Sequence, residues 1–276
     1  MAKKTVREVL RVTTGDLPQP RSTPVGPKTK SDAVAALPAI GSRLAALQEA
    51  LYAESTRGVL LVLQGMDTSG KGGTIKHVVG LLNPLGIRIA SFKKPTRAEL
   101  RHDFLWRIRR QVPPAGHVGV FDRSHYEDVL IARVENLAPR GELNARYTAI
   151  NAFEDELTGA GITVVKCFLH ISPEEQRERL IARLEEPAKH WKYNSADLTA
   201  RAKWSAYQRA YAVAIERCST EESPWYAIPA DRKWYRNWAV ANILLETLEA
   251  MAPQPPAGDF DPAAELATLR DSDPLG

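Results

Sequence analysis

Cysteine is nearly absent: Cys167 and Cys218 are the only two among 276 residues. That excludes a disulfide scaffold and an all-cysteine zinc site, and both are expected as buried thiols in a reducing compartment. Long apolar runs are missing too. Stretches such as Val59–Leu63 fall far short of the ~20 residues that span a bilayer, and Met1-Ala2-Lys3-Lys4 leads into no signal-peptide core. A cytoplasmic chain with no membrane partner is the expectation. His125 has no second histidine or cysteine at ligand spacing, so it is expected to hydrogen-bond its neighbours, and any metal would sit among oxygens. No internal repeat or long low-complexity tract occurs. A chain of this length suits one large domain.

The net charge of +4 conceals an asymmetry. Glu246–Gly276 holds seven acids against Arg270, which leaves a surplus of ten positive charges on residues 1–245. Such a surplus suits a polyanion, whether nucleotide, nucleic acid or another phosphate polymer. Residues 1–35 mix Pro18, Pro20, Pro24 and Pro27 with charges and offer little to bury, which predicts an extended arm. From Pro38 the spacing of Ile40, Leu44, Leu47 and Leu51 predicts an amphipathic helix closed by Gly58. Residues 253–276 read as an acidic, loosely held tail.

Between these ends, short apolar runs alternate with helical patterns. Val59–Leu63, Arg88–Phe92, Val118–Phe121, Ile162–Leu169 and Trp225–Ile228 read as buried strands. Alternation of this kind predicts an α/β fold with a five-stranded parallel sheet flanked by helices. Capping boxes at Thr96/Glu99 and Ser172/Glu175, the second with Pro173 at the first helical position, mark helix starts.

After the first strand stands Gly65-Met66-Asp67-Thr68-Ser69-Gly70-Lys71-Gly72-Gly73-Thr74, followed by a helical pattern from Ile75 to Leu82. This is GxxxxGK in its strand, loop and helix setting. Backbone amides of Gly65, Ser69, Gly70, Gly72, Gly73 and Thr74 can surround an anion there, and Lys71 can reach the outer phosphates. Gly72 replaces the hydroxyl that ordinarily ligates magnesium in such loops. A carboxylate inside a phosphate loop repels phosphate unless a cation intervenes, so Asp67 is assigned to magnesium or its water. Thr74 is a weaker substitute.

The strand Val118–Phe121 ends in Asp122-Arg123-Ser124-His125-Tyr126-Glu127-Asp128. Carboxyl ends of parallel strands form the ligand crevice, so Asp122 reads as a Walker B aspartate and Arg123 as a forked phosphoryl donor. The helix opened by Ser172 carries Arg179 and Arg183 four apart on one face, and Pro187 ends it before a basic, aromatic loop with Lys189. The pattern suits a lid closing over phosphate, or a solvated face paired with Glu174, Glu178 and Glu185. Lys93, Lys94, Arg97, Arg107, Arg109 and Arg110 could line a groove or be surface charge. The aromatics Trp204, Tyr207, Tyr211, Trp225, Trp234, Tyr235 and Trp238 are expected to fill core and interfaces.

Several segments in unbroken order, LVLQGMDTSGKGGTIK, PLGIRIASFKKPT, DFLWRIRRQVPPAGHVGVFDRSHYEDVLIARV, LHISPEEQRERLIARLEEPAKHWKYN and PWYAIPADRKWYRNW, resemble the family-2 polyphosphate kinases over about residues 36–256. The resemblance implies a P-loop kinase fold similar to thymidylate kinase, with a kinase domain over 36–252 and a helical lid over about 177–195. It also implies Mg2+ dependence, a basic channel for inorganic polyphosphate, and assembly as a homodimer or homotetramer. The implied reaction moves the terminal phosphoryl group of polyphosphate to AMP and ADP, giving ADP and ATP, with no nucleic-acid partner. Carried over by position, Asp67, Lys71, Asp122, Arg123 and Arg183 are catalytic, and Asp67 and Asp122 hold the metal. Arg179, Arg183 and Lys189 join the loop in binding phosphate, while Lys93, Glu127, Asp128 and Arg133 take the nucleotide. Glu127 stands where the strictly diphosphate-phosphorylating class has asparagine, so SHYEDVL is similar to class III. Asp122 departs from the FNRS of several class III members. Two other readings share these features: an ATP-dependent nucleoside monophosphate kinase, and a non-catalytic module that binds nucleic acid or another polyanion.

Overall fold

The computed structural model describes residues 4–271. From the amino end run α1 (Val6–Leu10), β1 (Arg11–Val12), α2 (Lys30–Glu54), β2 (Gly58–Gln64), α3 (Lys71–His77), β3 (Ile87–Ser91), α4 (Trp106–Arg109) and β4 (Val118–Asp122). Then follow α5 (Glu127–Val134), α6 (Arg140–Gly159), β5 (Ile162–His170), α7 (Pro173–Glu185), α8 (Ala196–Ala202), α9 (Trp204–Cys218), β6 (Trp225–Pro229), α10 (Lys233–Met251) and α11 (Pro262–Asp271). One sheet forms in the order β1-β6-β5-β2-β4-β3. All neighbours are parallel except β1 with β6.

The five expected strands are present and parallel, and helices cover both faces, but β3, expected as a buried strand, lies at the sheet edge with none of its residues buried. Every residue of β2 is buried, as a parallel strand between two helical layers requires. Its side chains alternate between faces: Val59, Leu61 and Leu63 join the core cluster that includes Leu44 of α2 and Leu244 of α10, whereas Leu60 and Val62 join Val129, Ile150 and Ile215 from α5, α6 and α9. Both cysteines are buried free thiols. No helix among the described residues is long and apolar enough to cross a membrane.

Four further expectations need correction. The amino-terminal arm is not wholly extended: Thr5 and Glu8 form a capping box that starts α1, Val6 and Leu10 are buried, and β1 adds a sixth, antiparallel edge strand. Glu246 holds the arm by accepting from the amides of Val6 and Arg7, each at 2.8 Å. The second helix starts at Lys30 rather than near Pro38, because Thr29 caps it by accepting from Asp32 N, and it ends at Glu54 with Ser55 in the left-handed conformation rather than at Gly58, which opens β2. Pro38 lies inside the helix on an exposed face. The acidic tail contains α11, which Asp261 opens by accepting from Ala263 N at 2.9 Å, although all of this helix is exposed. Residues 1–3 of the arm and 272–276 of the tail, Asp273 and Pro274 included, lie outside the described residues. The helix after the phosphate loop is also shorter than expected, ending at His77 before a 3-10 turn over Val79–Leu81.

Lys166 sits in the middle of β5, fully buried, paired with buried Glu154 of α6. Tyr126 Oη accepts from Lys166 at 3.0 Å and donates to Glu154 at 2.8 Å, and His125 Nε2 meets the same carboxylate at 3.1 Å. Burial works against the charge of Glu154, but Lys166 and His125 outweigh it and hold the carboxyl below its usual range. Since His125 and Tyr126 directly follow Ser124, this network ties the segment after β4 to the sheet. Removing one partner strands the other charge in the core. Lys166→Met should therefore lower unfolding stability by about 3–5 kcal/mol, while Lys166→Met combined with Glu154→Leu should recover part of the loss. Urea unfolding of both variants checks it.

Candidate functional site

The site is built where β2 and β4 end side by side. Leu63 pairs with Asp122 in the parallel register, so the loop after β2 and the residues after β4 leave the sheet together. The loop needs unusual backbone: Gly65 has φ 151° and Gly70 φ 110°, and Thr68 holds φ 65° without being glycine. A Cβ on Gly70 would lie 1.7 Å from Arg236 Nη1, so this position is glycine for space as well as for conformation. Gly72 is different, because a Cβ there would meet nothing within 4 Å. No hydroxyl takes that position, and the nearby hydroxyls of Thr68, Ser69 and Thr74 are buried without hydrogen-bond partners.

Facing the loop is a cavity of about 750 Å³ whose walls include Asp67, Gly70, Lys71, Gly72, Gly73, Lys93, Lys94, Asp122, Arg123, Arg183 and Lys192. A smaller chamber of about 360 Å³, lined by Gly65, Met66, Glu127, Ile131, Tyr207 and Tyr211, meets it along a shared wall of Asp67, Arg123 and Asp197. Arg123 is the joint. It has φ 65°, an outlying conformation that surrounding contacts must hold. Its Nη2 donates to Asp67 Oδ1 at 2.6 Å and its Nη1 lies 3.6 Å from Glu127. Gln64, its amide oriented to satisfy its neighbours, donates to Glu127 Oε1 at 3.0 Å and accepts from Ser124.

The charges here shift one another. Burial opposes the charge of Arg123, but Glu127 and Asp67 outweigh it and raise its pKa. Burial and then Arg123 lower the pKa of Lys71, with Asp67, Asp122 and Glu127 pulling the other way. Lys71 Nζ donates to Gly65 O at 2.8 Å. Burial pushes the Glu127 carboxyl up against the pull of Arg123 and Lys71. Asp197 is raised by burial and then by Asp67, and it accepts from Arg183 at 3.2 Å.

Asp67 and Asp122 line the same cavity beside Lys71. Among the described residues no group of three or more histidines, cysteines and acids could hold a metal by itself. Two carboxylates fit a hard divalent cation that takes its remaining ligands from phosphate and water, the usual arrangement at phosphoryl-transfer sites.

The structure separates other residues that the sequence groups. Arg179 and Arg183 share α7, yet only Arg183 reaches the cavity. The Arg179 guanidinium is spent on carbonyls of Thr68, Ser69, Ala230 and Asp231 and on Glu175, so it positions the loop and is not free for phosphate. Lys189 pairs with Glu186 at 2.6 Å outside the cavity, where Trp191 and Lys192 stand instead. The four residues assigned to the nucleotide do not form one pocket. Lys93 and Glu127 line the two adjoining spaces, but Asp128 turns to Arg107 at 3.5 Å and Arg133 lines a cavity elsewhere. Neighbouring helix positions point about 100° apart, which divides Glu127 from Asp128.

Sequence reasoning missed Arg236 of α10. It is buried beneath the loop, donates to Ser69 O at 3.3 Å and to Asn237 Oδ1 at 2.8 Å, and has no carboxylate partner among the described residues. Burial and then Arg179 lower its pKa to about 9, which leaves it charged at neutral pH. The only signal was an arginine inside an otherwise buried helix. Gln176, which donates to Asp67 O at 3.1 Å, was missed as well.

Comparison with known proteins adds relatives to this geometry. The family model described as Polyphosphate kinase 2 matches residues 28–256. The chain is 52% identical over 227 residues to the AMP/ADP-polyphosphate phosphotransferase of Meiothermus ruber, covering 82% of this chain and 85% of that one. It is 44% identical over 240 residues to the ADP-polyphosphate phosphotransferase of Rhodopseudomonas palustris, with 83% of each covered. The crystal structure of polyphosphate kinase 2 from Arthrobacter aurescens superposes with a TM-score of 0.95 at 51% identity, over 98% of both chains.

Arg179→Lys tests the positioning role, since a lysine cannot make five bonds in fixed directions. It should weaken binding of inorganic tripolyphosphate roughly 10-fold or more, a loss on the order of the 1.5–3 kcal/mol carried by a charged hydrogen bond, read by titration calorimetry.

Proposed function

The chain belongs to the polyphosphate kinase 2 family, and from that premise we propose that it transfers the terminal phosphoryl group of inorganic polyphosphate to AMP and ADP, yielding ADP and ATP with Mg2+. The single observation that supports this best is the convergence of Asp67, Lys71, Asp122, Arg123 and Arg183 on one cavity. A simple anion binder gains nothing from two carboxylates beside phosphate, whereas a phosphoryl transferase needs them to seat its metal.

Both reactants are polyanions, so the work of the site is to offset their repulsion and align them. The long basic cavity takes the end of the polymer, with loop amides, Lys71, Lys93 and Arg183 on its oxygens. Arg123 stands on the shared wall, where it can hold the acceptor phosphate beside Glu127. An oxygen of the α-phosphate of AMP, or of the β-phosphate of ADP, forms a bond to the terminal phosphorus. The bond from that phosphorus to the bridging oxygen breaks, and the electron pair leaves with the shortened polymer. Acceptor oxygens carry no proton to remove at neutral pH, so no general base is required, and Asp122 is cast as a metal holder. Mg2+ bound at Asp67 and Asp122 supplies charge neutralisation of the transferring group. The lid is read over about 177–195, and the kinase domain takes in residues before 36, since β1 joins the sheet, Val6 and Leu10 join the core and α2 begins at Lys30. Assembly as a homodimer or homotetramer, and a cytoplasmic location, are part of the same proposal.

Incubating the chain with AMP or ADP, Mg2+ and polyphosphate as sole donor should yield ADP and ATP. Formation of ADP only when ATP is added would instead mark an ATP-dependent nucleoside monophosphate kinase, and no transfer from either donor a binding module. Asp122→Asn should lower kcat roughly 10²-fold or more and raise the Mg2+ concentration needed for half-maximal rate. An unchanged Mg2+ requirement would remove Asp122 from the metal seat.

A further inference from the structure

Four basic side chains are buried among the described residues: Lys71, Arg107, Lys166 and Arg236. Two of them face acids, Arg107 with Asp128 at 3.5 Å and Lys166 with Glu154. Lys71 and Arg236 form no ion pair among the described residues, and both stand at the phosphate loop. Acids near Lys71 still act in favour of its charge. For Arg236, burial and Arg179 both act against the charge, and no carboxylate acts for it. A guanidinium keeps its proton even so, and a buried charge without a counterion costs a fold stability.

The place of this cation is specific. Cβ atoms on Gly70 and Gly73 would lie 1.7 Å from its Nη1 and 2.8 Å from its Nη2, so the guanidinium rests directly against the backbone of both glycines. Gly70 and Gly73 wall the phosphate cavity and Arg236 does not, which puts loop backbone between the cation and the space for phosphate. Behind it, Asn237 Oδ1 accepts from Nε at 3.2 Å and from Nη2 at 2.8 Å. A carboxylate ordinarily fills such a fork. An aspartate of nearly the same shape would neutralise the arginine there, yet the chain has the uncharged amide. Nor is the arginine alone in holding the loop, since Ser69 O, which accepts from it at 3.3 Å, also accepts from Arg179 at 3.2 Å.

We propose that Arg236 is a positioning residue whose unmatched charge, acting through the glycine backbone, helps hold a donor phosphate that it never touches. The inference rests on the kinase reading above. Charges in the interior are weakly screened, so a guanidinium behind the loop attracts an anion in front of it. The empty chain carries an unpaired buried cation, and the bound polyanion supplies the missing charge. Asn237 keeps the arginine aimed without cancelling it.

The test uses Asn237→Asp and Arg236→Met in the full chain, with thermal unfolding of the unliganded protein and calorimetric titration of inorganic tripolyphosphate. Asn237→Asp should raise the unfolding temperature, because it provides the absent carboxylate, and should weaken tripolyphosphate binding roughly 10-fold or more. Arg236→Met should weaken binding by a similar factor, and the loss should persist from low to high salt, as expected of a buried charge. A purely structural clamp gives another result: Asn237→Asp would hold the arginine more firmly and leave affinity native or better. Native affinity in either variant overturns the proposal, as does a fall in unfolding temperature with Asn237→Asp. That variant keeps the arginine's hydrogen bonds, so it carries the test where Arg236→Met fails to fold. A native chain that binds tripolyphosphate but transfers no phosphoryl group refutes the kinase reading and leaves this one to be decided by the variants.

Discussion

The ion pair between Arg123 and Asp67, at 2.6 Å, is the contact on which the site depends. It joins the residue after β4 to the loop after β2, and so converts the parallel register of two strands into a fixed distance between two functional groups. It also solves an electrostatic difficulty. A site for polyanions must gather cations, and gathered cations repel each other when no anion separates them. Asp67, Glu127 and Asp197 sit between Arg123, Lys71 and Arg183 and hold them in place. The carboxylate suited to a divalent ion in the proposed reaction is the one that a guanidinium occupies in the structure, so one acid serves both cations.

Holding this arrangement costs backbone strain. Thr68 and Arg123 both adopt φ 65°, each a conformation costing on the order of 1–3 kcal/mol. The compensation comes from beneath. Arg179 and Arg236 clamp loop carbonyls from two different helices, α7 and α10, and the fully buried strand β2 anchors the loop's start. The position of Arg236 also explains why Gly73 carries no side chain, since a Cβ there would lie 2.8 Å from its Nη2. Glycines that a motif attributes to phosphate are in part required by the arginine behind them.

Period and position made the parallel strands, the phosphate loop and the Asp122-Arg123 pair legible, because burial on both faces leaves an apolar run and a loop at its carboxyl end has few alternatives. Features of another kind escaped. Strand β1 is two residues long, too short for any periodicity. The Thr29 and Asp32 signal that starts α2 was hidden by Pro38, read as a first-turn residue when it lies inside the helix. The partners that make burial of Lys166 in β5 possible, Glu154 with Tyr126 Oη and Cys218 O, come from distant segments that strand periodicity does not reveal. Spacing placed Arg179 and Arg183 on one helix, but spacing says nothing of partners, and carbonyls of the loop claimed the first.

Environment therefore separates arginines that composition treats alike. Arg179 and Arg236 are held by carbonyls and are structural supports of the loop. Arg123 and Arg183 are held by carboxylates within a cavity, which keeps them aimed while leaving donors for phosphate. Arg217 donates to Asn144 Oδ1, and Arg133, Arg140 and Arg209 have no acidic partner within 4.0 Å among the described residues. The first two arrangements explain themselves through the fold and the reaction.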